Sequence, residues 1–171
     1  ERVVSLAGLG YWPAATDVDR LRREGQGAMP EGILRTVLPA APATHIEAMR
    51  RWGTLSFEQA VMPAIELASE GFYLYPFLRY DIELNAERYD RYPENRSIFR
   101  PGGITPPVGA LLREENLART LYRLIIAERE TRGDRDMKLQ AVHDCFYRGA
   151  IAREIAGFHA REGGFLTRED L

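Results

Sequence analysis

Apolar residues recur every three or four positions along much of the chain, which is the spacing that one buried helix face requires. The pattern is clearest at residues 57–68, where it consists of Phe57, Val61, Ile65 and Ala68. Ser56 and Gln59 have the spacing of a capping box, in which each side chain bonds a backbone N–H at the helix start. We therefore predict a capped helix here.

Two glycines delimit this region. Gly53 follows an apolar helical pattern over residues 42–52. It is predicted to end that helix in the left-handed conformation that a helix C-terminus favours. Gly71 is predicted to close the capped helix, and Gly163-Gly164 to end the helix around residues 151–158.

Other elements follow from the same spacing and from turn residues. Helices are predicted at residues 14–23, with Val18 and Leu21 facing inward, at 114–129, from about Pro76 onward, and around residues 151–158. Short strands are predicted at residues 2–7 and 33–38, where β-branched and apolar residues cluster. Residues 89–107, rich in proline and glycine, are predicted to be irregular, and the charged run 128–138 a solvated helix end and loop. The predicted fold class is mainly α with about two short strands.

The composition fits a globular protein. The 171 residues include 45% hydrophobic and 28% charged residues, enough for a real core. A net charge of −2 gives no electrostatic argument for binding nucleic acid or an anionic membrane. No apolar run approaches the roughly 20 residues that span a bilayer. Residues 167–170 have the pattern of a helix start, and the sequence stops one residue later at Leu171. We therefore expect this chain to be a segment of a longer protein.

Candidate chemistry within the chain is sparse. His45, His143 and His159 do not share metal-ligand spacing, and no G-x-S-x-G elbow occurs. Asp144 and Cys145 directly follow His143, but adjacent residues on one element point apart, which disfavours a Cys–His pair. The sequence therefore predicts no complete catalytic site, no metal site and no cofactor. The lone cysteine excludes an internal disulfide and leaves both periplasmic and cytoplasmic locations open.

Five runs occur in an order that resembles the γ-glutamyltranspeptidase family. They are PAAP at 39–42 followed by RWGT at 51–54, PAIELASEGF at 63–72, NLARTL at 116–121, FYRGAIA at 146–152 and GGFLTREDL at 163–171. Each run alone is weakly specific, but they occur in family order and are spread over roughly residues 32–171. None of them supplies a nucleophile, so the resemblance rests on residues that form the fold and not on catalytic residues.

The resemblance implies an αββα N-terminal nucleophile hydrolase that cleaves its own precursor. Residues 1–171 would form one segment, an incomplete domain, of the large subunit. The partner would be a small subunit whose N-terminal threonine attacks a small-molecule amide or γ-glutamyl bond, with its own α-amino group as base. The nucleophile would lie outside this chain, which then holds no catalytic residue.

One departure concerns substrate binding. Members of the family carry a large-subunit arginine, in an Arg-Glu-Thr-Ala-Pro-like run, that pairs with the substrate α-carboxylate. Aligning on Pro13 places Leu9 at that position, and no arginine lies between Arg2 and Arg20. The candidate substrate-binding residues are therefore Leu9, Gly10, Tyr11 and Trp12. The alternative for Tyr11 and Trp12 is packing in a core or subunit interface, as for most aromatic side chains.

Two other functions stay open at this point. A related chain without catalysis could serve as a helical interaction module. A free-standing cysteine enzyme would instead require a reactive thiolate at Cys145. The leading interpretation is an amidohydrolase or acylase of the resembled family with altered acyl specificity.

Overall fold

The computed structural model describes residues 3–171, and Glu1 and Arg2 lie outside the described residues. The α-helices are α1 Val18–Glu24, α2 Ala41–Trp52, α3 Phe57–Glu70, α4 Pro76–Leu84, α5 Ala86–Asp90, α6 Pro93–Phe99, α7 Glu115–Glu130, α8 Arg135–Tyr147 and α9 Ala150–Glu162. The strands β1 Phe72–Tyr73 and β2 Leu111–Leu112 pair antiparallel, with Phe72 opposite Leu112. A mainly helical chain with two short strands is confirmed for the described residues.

The chain divides into two compact units. The first contains the described residues up to Gln59 together with Arg123–Leu171, and the second is Ala60–Tyr122.

Helices α2, α8 and α9 pack in succession in the first unit. Their buried residues are Ile46, Leu139, Val142, Tyr147, Ile151, Ala152 and His159. Helices α2 and α8 are antiparallel, because Arg50 near the end of α2 binds Asp136 at the start of α8 through two 2.7 Å bonds. A smaller apolar cluster joins α1 to the C-terminal segment through Leu21, Leu34 and Phe165.

The second unit is organised around Leu74, Ile82 and Leu112. Its one buried cation is Arg100, among the residues that the structure describes, and it lies beside loop 101–105. The Arg100 guanidinium donates to Thr105 Oγ1 and to the Gly103 carbonyl oxygen, and forms an ion pair with Asp90 at 3.2 Å. Burial of this charge is tolerated because its donors have partners.

The predicted capping box is confirmed. Ser56 N donates to Gln59 Oε1 at 2.9 Å, and Gln59 N donates to Ser56 Oγ at 3.1 Å. The predicted ends at Gly71 and Gly163 are also found, with φ of 97° and 71°. Helices α2, α7 and α9 begin and end within a few residues of their predicted positions, and α4 begins at Pro76 as predicted.

Both predicted strands are wrong. Residues 3–7 form no strand, and Arg2 falls outside the described residues. Residues 33–38 begin with the 3-10 turn Ile33–Arg35 and continue as extended backbone. A strand requires a paired ladder, whereas residues 33–38 meet the preceding part of the chain through the backbone bond from Leu38 N to Tyr11 O, and Tyr11 lies beyond the first predicted strand.

Three further predictions need correction. Helix α1 begins at Val18 rather than residue 14, because Thr16 N bonds Pro13 O in a turn and Asp17 caps the helix. Val18 is exposed, so of the two residues predicted to face inward Leu21 alone does so. Gly53 is extended rather than left-handed, with φ −80° and ψ 152°. Its small size is needed because an added Cβ would lie 2.9 Å from Met49 O.

Residues 89–107 and 128–138 are more regular than predicted. Pro93 starts α6, where its missing N–H would have no helical partner in any case. Within 128–138 the loop is limited to residues 131–134, and α8 begins at Arg135, capped by Asp134. The sequence pattern does not predict helix α8, because its apolar residues are not confined to one face and lack the spacing of an amphipathic helix.

Glu128 is the clearest departure from the predicted solvated run. Its side chain is buried, and its two carboxylate oxygens accept from Phe57 N at 2.7 Å and from Glu58 N at 2.8 Å. A carboxylate at a helix N-terminus satisfies unpaired donors and complements the helix dipole. Glu128 therefore completes the cap of α3.

Replacing Glu128 tests this cap. In the full-length protein, Glu128→Ala is expected to lower the free energy of unfolding by about 2–3 kcal/mol, because buried Phe57 N loses its acceptor. Urea unfolding followed by far-UV circular dichroism measures the change. The exposed Glu130→Ala variant on the same helix should change stability by less than about 0.5 kcal/mol. Equal losses in both variants would contradict the role of Glu128.

Tyr147 offers a second test. Its hydroxyl donates to Pro39 O at 2.5 Å and accepts from Ala43 N at 3.0 Å, which caps the start of α2. Tyr147→Phe should therefore cost about 1–3 kcal/mol in the same unfolding experiment. Tyr122→Phe, at an exposed position, is the control and should be near neutral. A Tyr147→Phe variant as stable as the wild type would show that these bonds contribute nothing.

Candidate substrate-binding segment

Leu9, Gly10, Tyr11 and Trp12, here called the 9–12 segment, lie on irregular backbone in the first unit. Leu9 is 85% exposed, Tyr11 83% and Trp12 43%. The following Pro13 is buried. The segment thus exposes three large apolar side chains, and the residue that follows it, Pro13, is packed in the fold.

Leu38 holds one side of the segment. Leu38 N donates to Tyr11 O at 3.0 Å. Gly10 approaches the same residue so closely that an added Cβ would lie 1.8 Å from Leu38 O. Such a contact is impossible for any side chain, so Gly10 is the residue that allows the two backbones to meet.

Asp170 holds the other side. Its Oδ1 accepts from Ala14 N at 2.8 Å, a bond between residues 156 positions apart. Its Oδ2 accepts from Thr167 N at 2.8 Å and from Thr167 Oγ1 at 2.9 Å, which completes a capping box for the short turn Arg168–Asp170. The capping-type start predicted for residues 167–170 is therefore present, and its Asp170 also binds the Ala14 amide.

The electrostatics agree with this arrangement. The hydrogen bond from Ala14 N lowers the pKa of the Asp170 carboxyl below its usual value, and the Thr167 donors add to this, against the opposing effect of partial burial. Bonds to the charged form favour the charged form. Asp170 therefore accepts these bonds as a carboxylate.

Cys145 has the wrong environment for a nucleophile. Burial raises the pKa of its thiol, whereas a reactive cysteine needs a stabilised thiolate. Its Sγ donates to the Arg123 carbonyl oxygen at 3.9 Å. His143, two positions before Cys145, lies with its Nδ1 3.2 Å from Asp144 Oδ1.

His159 serves the fold. It is buried, and its Nδ1 accepts from Leu166 N at 3.4 Å. Burial lowers the pKa of its imidazole, which keeps the ring neutral and able to accept. Within residues 3–171, His, Cys, Asp and Glu side chains form no group of three that could hold a metal ion. Among the same residues, no helix is long and apolar enough to cross a bilayer.

A polar cleft of about 400 Å³ also lies in the first unit. Its lining includes Glu58, Glu128, Arg129, Arg135 and Lys138. Glu128 caps α3, and Arg135 donates to the Met49 and Leu55 carbonyl oxygens. The hydrogen bond from Arg129 lowers the pKa of the Glu58 carboxyl. Glu58, Glu128, Arg129 and Arg135 thus serve the fold, so the 9–12 segment remains the better candidate.

The sequence predicts the segment as a candidate but gives no signal for either of its anchors. The pattern of Thr167 and Asp170 predicts a local cap, and the bond from Ala14 N to Asp170 has no local signal. The contact of Gly10 with Leu38 likewise joins residues far apart in sequence. A proline-terminated apolar segment near a capping motif is a pattern too common to indicate such a pair.

Comparisons with known proteins support the resemblance. The family model for gamma-glutamyltranspeptidase matches residues 1–171. The chain is 31% identical over 140 residues to the acylase ACY 1 proenzyme of Pseudomonas sp. (strain SE83), which covers 82% of the chain and 23% of that protein. It is also 31% identical over 134 residues to the glutathione hydrolase proenzyme of Escherichia coli (strain K12), which covers 78% of the chain and 21% of that protein.

A solved structure shares the fold. The crystal structure of cephalosporin acylase from Bacillus halodurans matches with a TM-score of 0.76 and 26% identity, over 95% of this chain and 30% of that one. The chain thus spans less than a quarter of the length of the two curated relatives. The predicted fold class, a mainly helical segment of an N-terminal nucleophile hydrolase, agrees with this neighbour. The chain belongs to the gamma-glutamyltranspeptidase family.

Proposed function

We propose that residues 1–171 form a segment of the large subunit of a self-processing amidohydrolase or acyltransferase. The support is that the relatives are named proenzymes of an acylase and of a glutathione hydrolase, and that the chain matches less than a quarter of each. The nucleophile is an N-terminal threonine of a small subunit outside this chain. The partner of this segment is that small subunit, and the substrate is a small-molecule amide.

In this proposal the threonine hydroxyl adds to the amide carbonyl, and its α-amino group accepts the hydroxyl proton. The amine leaves with a proton, and the acyl group stays on the threonine until water or another amine takes it. The residues described here would not enter these bonds. Their contribution is to bind the acyl group and to hold it in position.

The 9–12 segment selects the acyl group. The observation that carries this proposal is that Leu9, Tyr11 and Trp12 are exposed on a backbone anchored at Leu38 and at Asp170. Leu9 occupies the position at which the family resemblance places an arginine. A leucine cannot donate hydrogen bonds, and an unpaired carboxylate in an apolar pocket is costly. The preferred acyl group therefore lacks a carboxylate at its distal end.

Self-processing has a direct test. Intact-mass analysis of the full-length protein is expected to give two chains, of which the smaller begins with threonine. Replacing that threonine with alanine should leave one uncleaved chain, because the attacking hydroxyl is lost. A wild-type protein that stays a single chain would contradict the proposed enzyme and favour a helical interaction module.

Acyl specificity has a separate test. The processed wild-type enzyme is expected to hydrolyse butanoyl- or phenylacetyl-p-nitroanilide with a higher kcat/KM than γ-glutamyl-p-nitroanilide. Leu9→Arg should shift the ratio of these kcat/KM values toward the γ-glutamyl substrate by about 10-fold or more, because a guanidinium pairs strongly with a carboxylate.

Leu84→Arg is the matched control, since Leu84 is also strongly exposed but belongs to the second unit. It should leave the ratio unchanged. The specificity proposal fails if the γ-glutamyl substrate is preferred and the ratio is the same in wild type and Leu9→Arg. Such a result would leave the amidohydrolase assignment intact.

A further inference from the structure

Asp170 has more bonding partners than its local turn requires. The capping box of Arg168–Asp170 uses Oδ2 alone, through Thr167 N and Oγ1. Oδ1 is directed to a different part of the chain and accepts from Ala14 N at 2.8 Å. One carboxylate therefore joins the C-terminal turn to the backbone just after the 9–12 segment.

The geometry transmits this bond to the segment. Ala14 is two residues beyond Trp12, and the intervening Pro13 is buried and has a φ fixed by its ring. Thr16 N bonds Pro13 O at 3.0 Å, which closes a tight turn on the far side. Fixing the Ala14 amide therefore fixes the direction in which the backbone leaves Trp12.

Two anchors then set the segment. Leu38 fixes Gly10 and Tyr11, and Asp170 fixes Ala14. With one anchor, the exposed apolar side chains would sample several orientations. With two, they are preorganised, which lowers the entropic cost of binding an acyl group.

We propose that Asp170 is a positioning residue that holds the 9–12 segment in the orientation that selects the acyl group. This inference rests on the proposed function of the segment. Asp170 does not touch the substrate and acts through the Ala14 amide. Loss of the bond would thus reduce discrimination between acyl groups without removing the nucleophile.

Two variants remove the bond from opposite ends in the full-length protein. Asp170→Ala removes the acceptor together with the capping box. Ala14→Pro removes the donor and leaves Asp170 bonded to Thr167. Ala14 is the second residue of the turn closed by Thr16 N and Pro13 O, a position that proline favours. Ala14→Pro therefore keeps the turn. Glu169→Ala, which removes the neighbouring exposed carboxylate, is the control.

The first readout is the ratio of kcat/KM values for phenylacetyl- and γ-glutamyl-p-nitroanilide. This ratio does not depend on the concentration of active enzyme, so a variant that is only less stable or less processed leaves it unchanged. Both bond-removing variants are expected to reduce the wild-type preference by about 10-fold, the effect of one hydrogen bond to a charged group. Glu169→Ala should keep the wild-type ratio.

The second readout does not require activity. The Leu38 amide is bonded to Tyr11 O and reports the position of the segment, so its hydrogen exchange should be about 10-fold faster in Asp170→Ala and Ala14→Pro than in Glu169→Ala. Unchanged Leu38 exchange in both variants would overturn the inference, as would an unchanged ratio in an active enzyme. If the wild type is not processed or hydrolyses no anilide, the proposed function fails, and with it the role of Asp170 in selecting the acyl group.

Discussion

Helix ends impose the constraint on which the first unit depends. The start of α3 presents four backbone donors that no helical carbonyl can accept, and all four have side-chain partners. Gln59 and Ser56 satisfy each other's backbone N–H groups, and Glu128 accepts from the two residues between them. The cap is thus half local and half supplied by a residue some 70 positions away. Glu128 supplies the acceptor where the cap is buried, at Phe57 N, and the local half of the cap lies at the exposed side.

The same solution recurs at both ends of α2 and next to the 9–12 segment. Arg135 donates to the Met49 carbonyl at the end of α2, Tyr147 bonds the backbone at its beginning, and Asp170 binds the Ala14 amide. Side chains distant in sequence thereby satisfy backbone groups at both ends of α2 and just after the 9–12 segment. Since backbone groups need partners, these bonds help to determine where the neighbouring loops lie. The candidate substrate-binding residues directly precede Ala14, so their placement depends in part on Asp170.

The sequence predicted those features whose signals are local. The capping box at Ser56, the helix after it and the helix end at Gly163 are predicted correctly from neighbouring residues. The strand at 33–38 was wrong because a strand depends on a partner that sequence does not reveal. The buried role of Glu128 and the link from Asp170 to Ala14 were missed for the same reason. Family resemblance selected the 9–12 segment, and the side chains that hold it could be found only from coordinates.

The close approach of Gly10 to Leu38 has a practical consequence for protein engineering. Because a side chain at position 10 would coincide with the Leu38 carbonyl oxygen, this site cannot take part in redesign. The neighbouring residues at positions 9, 11 and 12 are exposed and free of this restriction. On the proposed role of the 9–12 segment, a directed-evolution library for new acyl groups would randomise these three positions and keep glycine between the first two. The side chains at positions 9, 11 and 12 would then vary while the contact of Gly10 with Leu38, which holds the segment, stays intact.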